Sequence, residues 1–187
     1  MSTTQFIGGE AVTTKLAIRM EDSLQAFAVR AACFIGELDV PYSEEFDGHD
    51  FGATHIIAYV GDEPVGTLRV RWLQSFAMPE RLAVIQRFRG HSIGNLLLER
   101  CRKLAESRGC NMLYSQVLPR DVGYWEKHGW RRLVPGEGGA ADKRIIAVVR
   151  AVDPSKQLPD VEAPEAVALS RDTKLDPSGQ PFGTSST

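Results

Sequence analysis

Arg81-Leu82-Ala83-Val84-Ile85-Gln86-Arg87-Phe88-Arg89-Gly90-His91-Ser92-Ile93-Gly94 reads as a strand running into a tight basic loop that opens a helix. The helix extends from about Ser92 to Ser107, with Ile93, Leu97, Cys101 and Leu104 on one face and Gly109 as its stop. A helix start leaves backbone N–H groups unpaired and carries roughly half a positive charge. Gly90, Ser92 and Gly94 are small enough to let an anion approach those amides, and Arg87 and Arg89 add full charges. A pyrophosphate suits such a loop; the plainer alternative is a helix start whose glycines only serve the turn. A Walker loop does not fit, because its second glycine and its lysine would fall on Asn95 and Leu96. A dinucleotide fingerprint does not fit either, since no GxGxxG triple occurs.

On the N-terminal side, Lys15–Arg19 has polar ends around an apolar centre and reads as a short strand. Asp22 or Ser23 is placed to cap a helix carrying Leu24, Phe27, Ala31, Phe34 and Ile35. Strands at His55–Val60 and Pro64–Trp72 are joined by the turn formers Gly61-Asp62-Glu63, and a third strand covers Glu80–Ile85. After the long helix come a strand at Asn111–Gln116, a short helix at Val122–His128 and a last strand at Arg144–Arg150. This β-α-β-β-β-α-β-α-β order predicts an α/β fold with a mixed, mostly antiparallel central sheet flanked by helices. One domain is expected over residues 14–152, after a flexible N-terminus at 1–13. Residues 153–187 are rich in Pro, Asp, Ser and Thr, with Phe182 the lone aromatic, and read as a disordered tail.

Composition narrows the classes. With 187 residues the chain suits one domain, and 43% hydrophobic and 25% charged residues allow a real core. Lys and Arg number 22 against 24 Asp and Glu, a net charge of -2, which argues against a nucleic-acid partner. Cys33, Cys101 and Cys110 form neither a CxxC pair nor a His/Cys cluster, and the four histidines are scattered, so no metal site is expected. There is no secretory leader and no apolar run of about 18 residues, so a cytoplasmic protein without a membrane partner is expected.

Arg89-Gly90-His91-Ser92-Ile93-Gly94 resembles the acyl-CoA signature R/Q-x-x-G-x-G/A of the GNAT acyltransferase superfamily, with Ser92 where the first glycine is usual. Glu80-Arg81-Leu82-Ala83-Val84 resembles that family's preceding strand, and Tyr124-Trp125-Glu126-Lys127-His128-Gly129-Trp130 its late FYxKxGF-like motif. Pro64-Val65-Gly66-Thr67-Leu68-Arg69 is similar to its central hairpin, so the likeness covers most of Thr14–Arg150. The resemblance implies a strand that splays from its neighbour and admits the pantetheine arm of acetyl-CoA or another acyl-CoA. It implies cofactor contacts from Leu82, Ala83 and Val84 on that strand and from Arg89, Gly90, His91, Ser92, Ile93, Gly94 and Asn95 at the helix start.

Acyl transfer from a thioester to an amine requires that the amine lose a proton, the carbonyl be polarised and the leaving thiolate be protonated. Glu80 is the candidate base, at even spacing before Leu82 and Val84; otherwise it is a solvated strand-end carboxylate. The amide of Val84 is the simplest polarising donor. The family's usual tyrosine position holds Trp125, whose indole has no proton of useful acidity, which leaves Tyr124 or water as the acid.

A second constellation, Arg30-Ala31-Ala32-Cys33-Phe34 followed by Glu45-Phe46-Asp47-Gly48-His49-Asp50, resembles a GNAT subgroup and the distantly related acyl-homoserine-lactone synthases. There the carboxylates and an arginine on the next strand, matched by Arg69, form a charged network near the acceptor. Glu45, Asp47 and Asp50 either attract a cationic amine or order their own loop through Arg30 or Arg69. Three readings follow: an N-acetyltransferase acting on a small amine or a protein amine, a non-catalytic acyl-CoA sensor, and a synthase. Sheet edges in this fold commonly pair, so a homodimer is an expectation as well.

Overall fold

The computed structural model describes residues 5–73, 76–133 and 145–155. Eight strands form one sheet in the order β1-β2-β3-β4-β5-β6-β8-β7. They are β1 (Phe6–Ile7), β2 (Glu10–Leu16), β3 (Thr54–Val60), β4 (Glu63–Trp72), β5 (Phe76–Val84), β6 (Met112–Val117), β7 (Arg131–Arg132) and β8 (Ile146–Ala151). Every neighbouring pair is antiparallel except β5 with β6. Helix α1 (Met20–Arg30) packs on β3, β4 and β5; a short α2 (Tyr42–Glu45) follows it. The long α3 (Ile93–Ser107) and the short α4 (Val122–Lys127) complete the described helices.

The main core lies between the sheet and α3. Ile93, Leu97, Leu98, Cys101 and Ala105 are buried against Ile56, Ala58, Leu68, Val70 and Leu113. A Cβ on Gly66 would stand 3.0 Å from Ile93 and 3.3 Å from Leu97, so the bare glycine lets α3 approach β4 closely. Trp125 and Trp130 close this core with an edge-to-face contact at 4.7 Å.

The N-terminal boundary differs from expectation. Residues 5–13 carry β1 and most of β2 rather than a flexible lead, because Val12 is buried and pairs with Val60. The strand ends at Leu16, and Ile18 is 83% exposed. The chain turns there because Asp22, in the first turn of α1, accepts from the N–H groups of Ile18 and Arg19 and from Lys15 Nζ at 2.6 Å. That lysine bond, with the backbone donors, lowers the Asp22 pKa to about 2.

The buried stripe of the first helix also differs. Asp22, Ala26, Val29, Arg30 and Cys33 point inward, whereas Leu24 is 58% exposed. Two charged residues belong to the buried face, and an apolar pattern cannot reveal them. From Ala31 to Glu37 the helix widens into π turns, a geometry that often accompanies functional sites. The expected tail from residue 156 onward lies outside the described residues, as does the start of the last strand at Arg144.

Candidate active site

Strands β5 and β6 pair only at Phe76–Met112 and Ala77–Leu113, and then part. Pro79 brings no N–H to either neighbour, and its carbonyl is taken by Ser115 Oγ at 2.8 Å. Two residues later the strand bulges: Thr67 pairs with Ala83 and Arg69 with Glu80, so Arg81 and Leu82 together oppose Leu68. Arg81 sits there at φ +51°, a strained conformation for a branched chain of its size. The expected splay is therefore present, and it opens toward the loop before α3.

The bulge changes which side chains share a face. Leu82 and Val84 pack toward the α3 core, while Ala83 packs on Val29 and Cys33 beneath α1. Glu80 lies on the α1 face with Arg69, so its even spacing from Leu82 and Val84 does not place it beside them. The backbone divides similarly. Ile85 N–H bonds Val65 O at 2.9 Å, so by the alternation of an antiparallel ladder Ala83 is committed to Thr67. The same alternation turns the amide of Val84 toward the gap beside β6. Ala83 thus loses its expected backbone role, and Val84 keeps its own through the N–H; Val84 O accepts Arg89 Nε at 2.8 Å.

At the mouth of the gap, Gly90 has φ +83° and Ser92 has φ +57°. Leu96 is the first residue of α3 whose N–H reaches back, to Ser92 O at 3.0 Å, which leaves the amides of Ile93, Gly94 and Asn95 without an intrahelical acceptor. Ile93 is buried and offers only that amide. His91 folds its ring onto the loop carbonyls of Phe88 and Arg89, and its own carbonyl accepts Gln5 Nε2. Arg89 reaches back to Glu37 at 2.5 Å, and Arg87 pairs with Glu63. The loop therefore presents amides rather than free guanidinium groups, a cradle that fits a pyrophosphate.

Tyr124 and Trp125 resolve the question of the acid. Trp125 is buried in the core. The Tyr124 hydroxyl lies against Gly94 so closely that any Cβ there would collide with it. Tyr124 is 38% exposed, and its partial burial raises the phenol pKa, which keeps the proton in place at neutral pH.

On the opposite face of β5, four carboxylates meet four guanidinium groups. Arg30, fully buried, donates Nε to Glu45 Oε1 at 2.5 Å, Nη2 to Glu45 O at 2.7 Å and Nη1 to Asp50. Arg69, 1% exposed, donates to Asp47 through Nη1 and Nη2, both at 2.7 Å, and to Glu80 Oε2 through Nε at 3.0 Å and Nη2 at 2.8 Å. Arg81 Nε lies 3.1 Å from Glu45 Oε2, and its Nη2 donates to Glu44 O at 2.5 Å. Arg71 touches Glu80 Oε1 at 3.5 Å. Burial works to raise the Asp47 pKa, but the bonds and charge of Arg69 outweigh it and hold the group well below the usual carboxylate range. Burial pushes Glu45 up against the pull of Arg30 and pushes His55 below the ordinary imidazole value.

Of the predicted substrate residues, Glu45, Asp47, Asp50 and Arg69 do converge, but as an internally paired cluster. Of the two readings left open, loop ordering is the one the contacts match, since the carboxylates face the protein's own cations. Arg71 and Arg81 escaped the sequence reading. Alternation along β4 from Arg69 signals Arg71; nothing in the sequence signals a bulge at Arg81. Beside the cluster, Gly48, His49, Gly52, Arg71, Trp72 and Leu73 line an open groove of about 300 Å³.

The acetyltransferase (GNAT) family model matches residues 23–130, more than half of the chain. The Bacillus subtilis (strain 168) uncharacterized N-acetyltransferase YjcF is 31% identical over 124 residues, 66% of this chain and 86% of that protein. Among solved structures, an acyl-CoA N-acyltransferase from Pseudomonas aeruginosa superposes with a TM-score of 0.64 at 19% identity, covering 75% of this chain and 99% of its own. Escherichia coli ElaA superposes at 0.63 with 18% identity, covering 74% of this chain and 99% of its own. With the splayed strands, the amide-lined loop and the family match in agreement, the chain belongs to the GNAT acetyltransferase family.

Proposed function

We propose that the protein moves an acetyl or other short acyl group from acyl-CoA to an amine by direct attack. The observation that carries this reading is the β5–β6 gap, with the α3 amides at its mouth and the Tyr124 hydroxyl over Gly94. The amides of Ile93, Gly94 and Asn95 hold the pyrophosphate, and Leu82 and Val84 line the arm. The Val84 N–H faces the gap and is placed to polarise the thioester carbonyl as charge develops. Tyr124 keeps its proton and delivers it to the departing sulfur. Glu80 Oε2 is engaged by Arg69, so Oε1, with its single 3.5 Å contact, is the oxygen left to receive the amine proton, through water or directly. Free Cys33, Cys101 and Cys110 suit a reducing cytoplasm.

Calorimetry with coenzyme A, acetyl-CoA and the 3′-phosphorylated ADP fragment tests binding, and release of free CoA over an amine panel tests turnover. Gly90→Pro, which cannot adopt φ +83°, should abolish binding, as should Arg89→Glu. Glu80→Gln should lower turnover with binding nearly unchanged. Binding without turnover on any amine would favour a sensor, and absence of binding would end the proposal.

A further inference from the structure

We propose that the acceptor is an amine carrying its own oxyanion, a carboxylate or phosphate about two or three bonds away, and that Arg71 in the groove binds it. This rests on the acyl-transfer reading and specifies its substrate class. The donor inventory of the charged cluster leads there. All three donor nitrogens of Arg30 and of Arg69 are spoken for by carboxylates and a carbonyl. Arg81 is held by Glu44, Glu45 and Asp47. Arg71 is different: its side chain is 12% exposed, and among the described residues its ion pairing amounts to one 3.5 Å contact from Nη1 to Glu80 Oε1.

A guanidinium is a planar fork that takes an oxyanion through two parallel bonds, and one so enclosed gains from being paired. The rest of the groove points the same way. Its other described lining residues are Gly48, His49, Gly52, Trp72 and Leu73, none of them acidic. Arg108 stacks on the Trp72 ring at 4.1 Å, adding positive potential along that wall. Since Arg71 adjoins Glu80, an oxyanion on its fork would bring a nearby amine toward Glu80 Oε1. A polyamine or a simple alkylamine leaves Arg71 unmatched. The cluster therefore does not serve as an anionic well for a cation; it holds Glu80 in place and leaves one guanidinium for the substrate.

The test uses the full chain and matched amines: an amino acid against its amide, phosphoethanolamine against ethanolamine, and spermidine as the cationic control. Direct binding is measured by calorimetry with and without coenzyme A, and turnover as kcat/KM with acetyl-CoA. The oxyanion-bearing member should bind at least tenfold more tightly than its neutral partner, and the better of the carboxylate and phosphate pairs identifies the anion. Arg71→Gln should collapse that ratio toward one, while Arg71→Lys, which keeps the charge but loses the fork, should retain part of it. Equal or better binding of neutral amines or spermidine, no binding by any oxyanion amine, or a ratio untouched by Arg71→Gln would each overturn the inference. Failure of acetyl-CoA to bind while the ratio holds would instead count against the acyl-transfer reading alone.

Discussion

The two faces of β5 are built on different principles. On the α3 side the working groups are backbone amides, shaped by Gly90, Ser92 and Gly94, and the neighbouring arginines are tied to glutamates or a carbonyl. On the α1 side the working groups are side chains, and each charge is held by at least one opposite charge. A backbone site tolerates changes of side chain but is sensitive to conformation. A side-chain cluster is sensitive to each member, because removing one partner leaves another buried and unpaired.

The largest effect should come from breaking the side-chain face at its deepest point. Arg30→Met strands Glu45, itself fully buried, and should destabilise the fold by about 3–5 kcal/mol in urea unfolding. A loss below about 1 kcal/mol would mean that the cluster contributes little to folding.

On the other face, Tyr124→Phe removes the hydroxyl over Gly94 and should lower kcat by about 10²-fold, with acetyl-CoA affinity nearly unchanged. An unchanged kcat would assign the proton to water.

Acid should reach the α1 face first. The pKa values of His55 and Asp47 are both lowered in the folded protein, so their contributions are complete at higher pH and disappear as pH falls. The urea midpoint should decline as pH drops below His55's ordinary value of 6.5 and more steeply below 3.8, the ordinary value for Asp47. Arg69→Met should flatten the acid part of that curve, and an unaltered slope would sever the link to Asp47.

The smallest change sharpens the backbone face. Ser92 at φ +57° carries a left-handed strain of about 1 kcal/mol that glycine would not. Ser92→Gly should raise stability by about that amount and tighten acyl-CoA binding by a few-fold, as read by unfolding and calorimetry.

This contrast also explains what could be read from the chain. The strand–loop–helix unit was readable because glycines, a helix stripe and a preceding strand are local signals, and α3 matches its expected span within a residue. Tyr124 could be weighed against Trp125 but not decided, since only packing shows that the indole turns into the core. The clustering of Glu45, Asp47 and Asp50 was visible as a motif, but the partners that neutralise them come from α1, β4 and the β5 bulge. The inward face of α1 was misjudged because Asp22 and Arg30 count as polar in any periodicity, although both are buried.

The widened turns from Ala31 to Glu37 imply an unusual response to chain length. An α-helix that accommodates one extra residue locally can lose it again, so removing Ala32 would let the segment rewind as ordinary helix without a gap in its hydrogen bonds. The rewinding would rotate everything beyond it by about a quarter turn. Glu37 would swing off Arg89, unhooking the phosphate loop while Arg30 and its carboxylates stayed in place. A single-residue deletion there would thus uncouple the two halves of the protein, which few point substitutions could do.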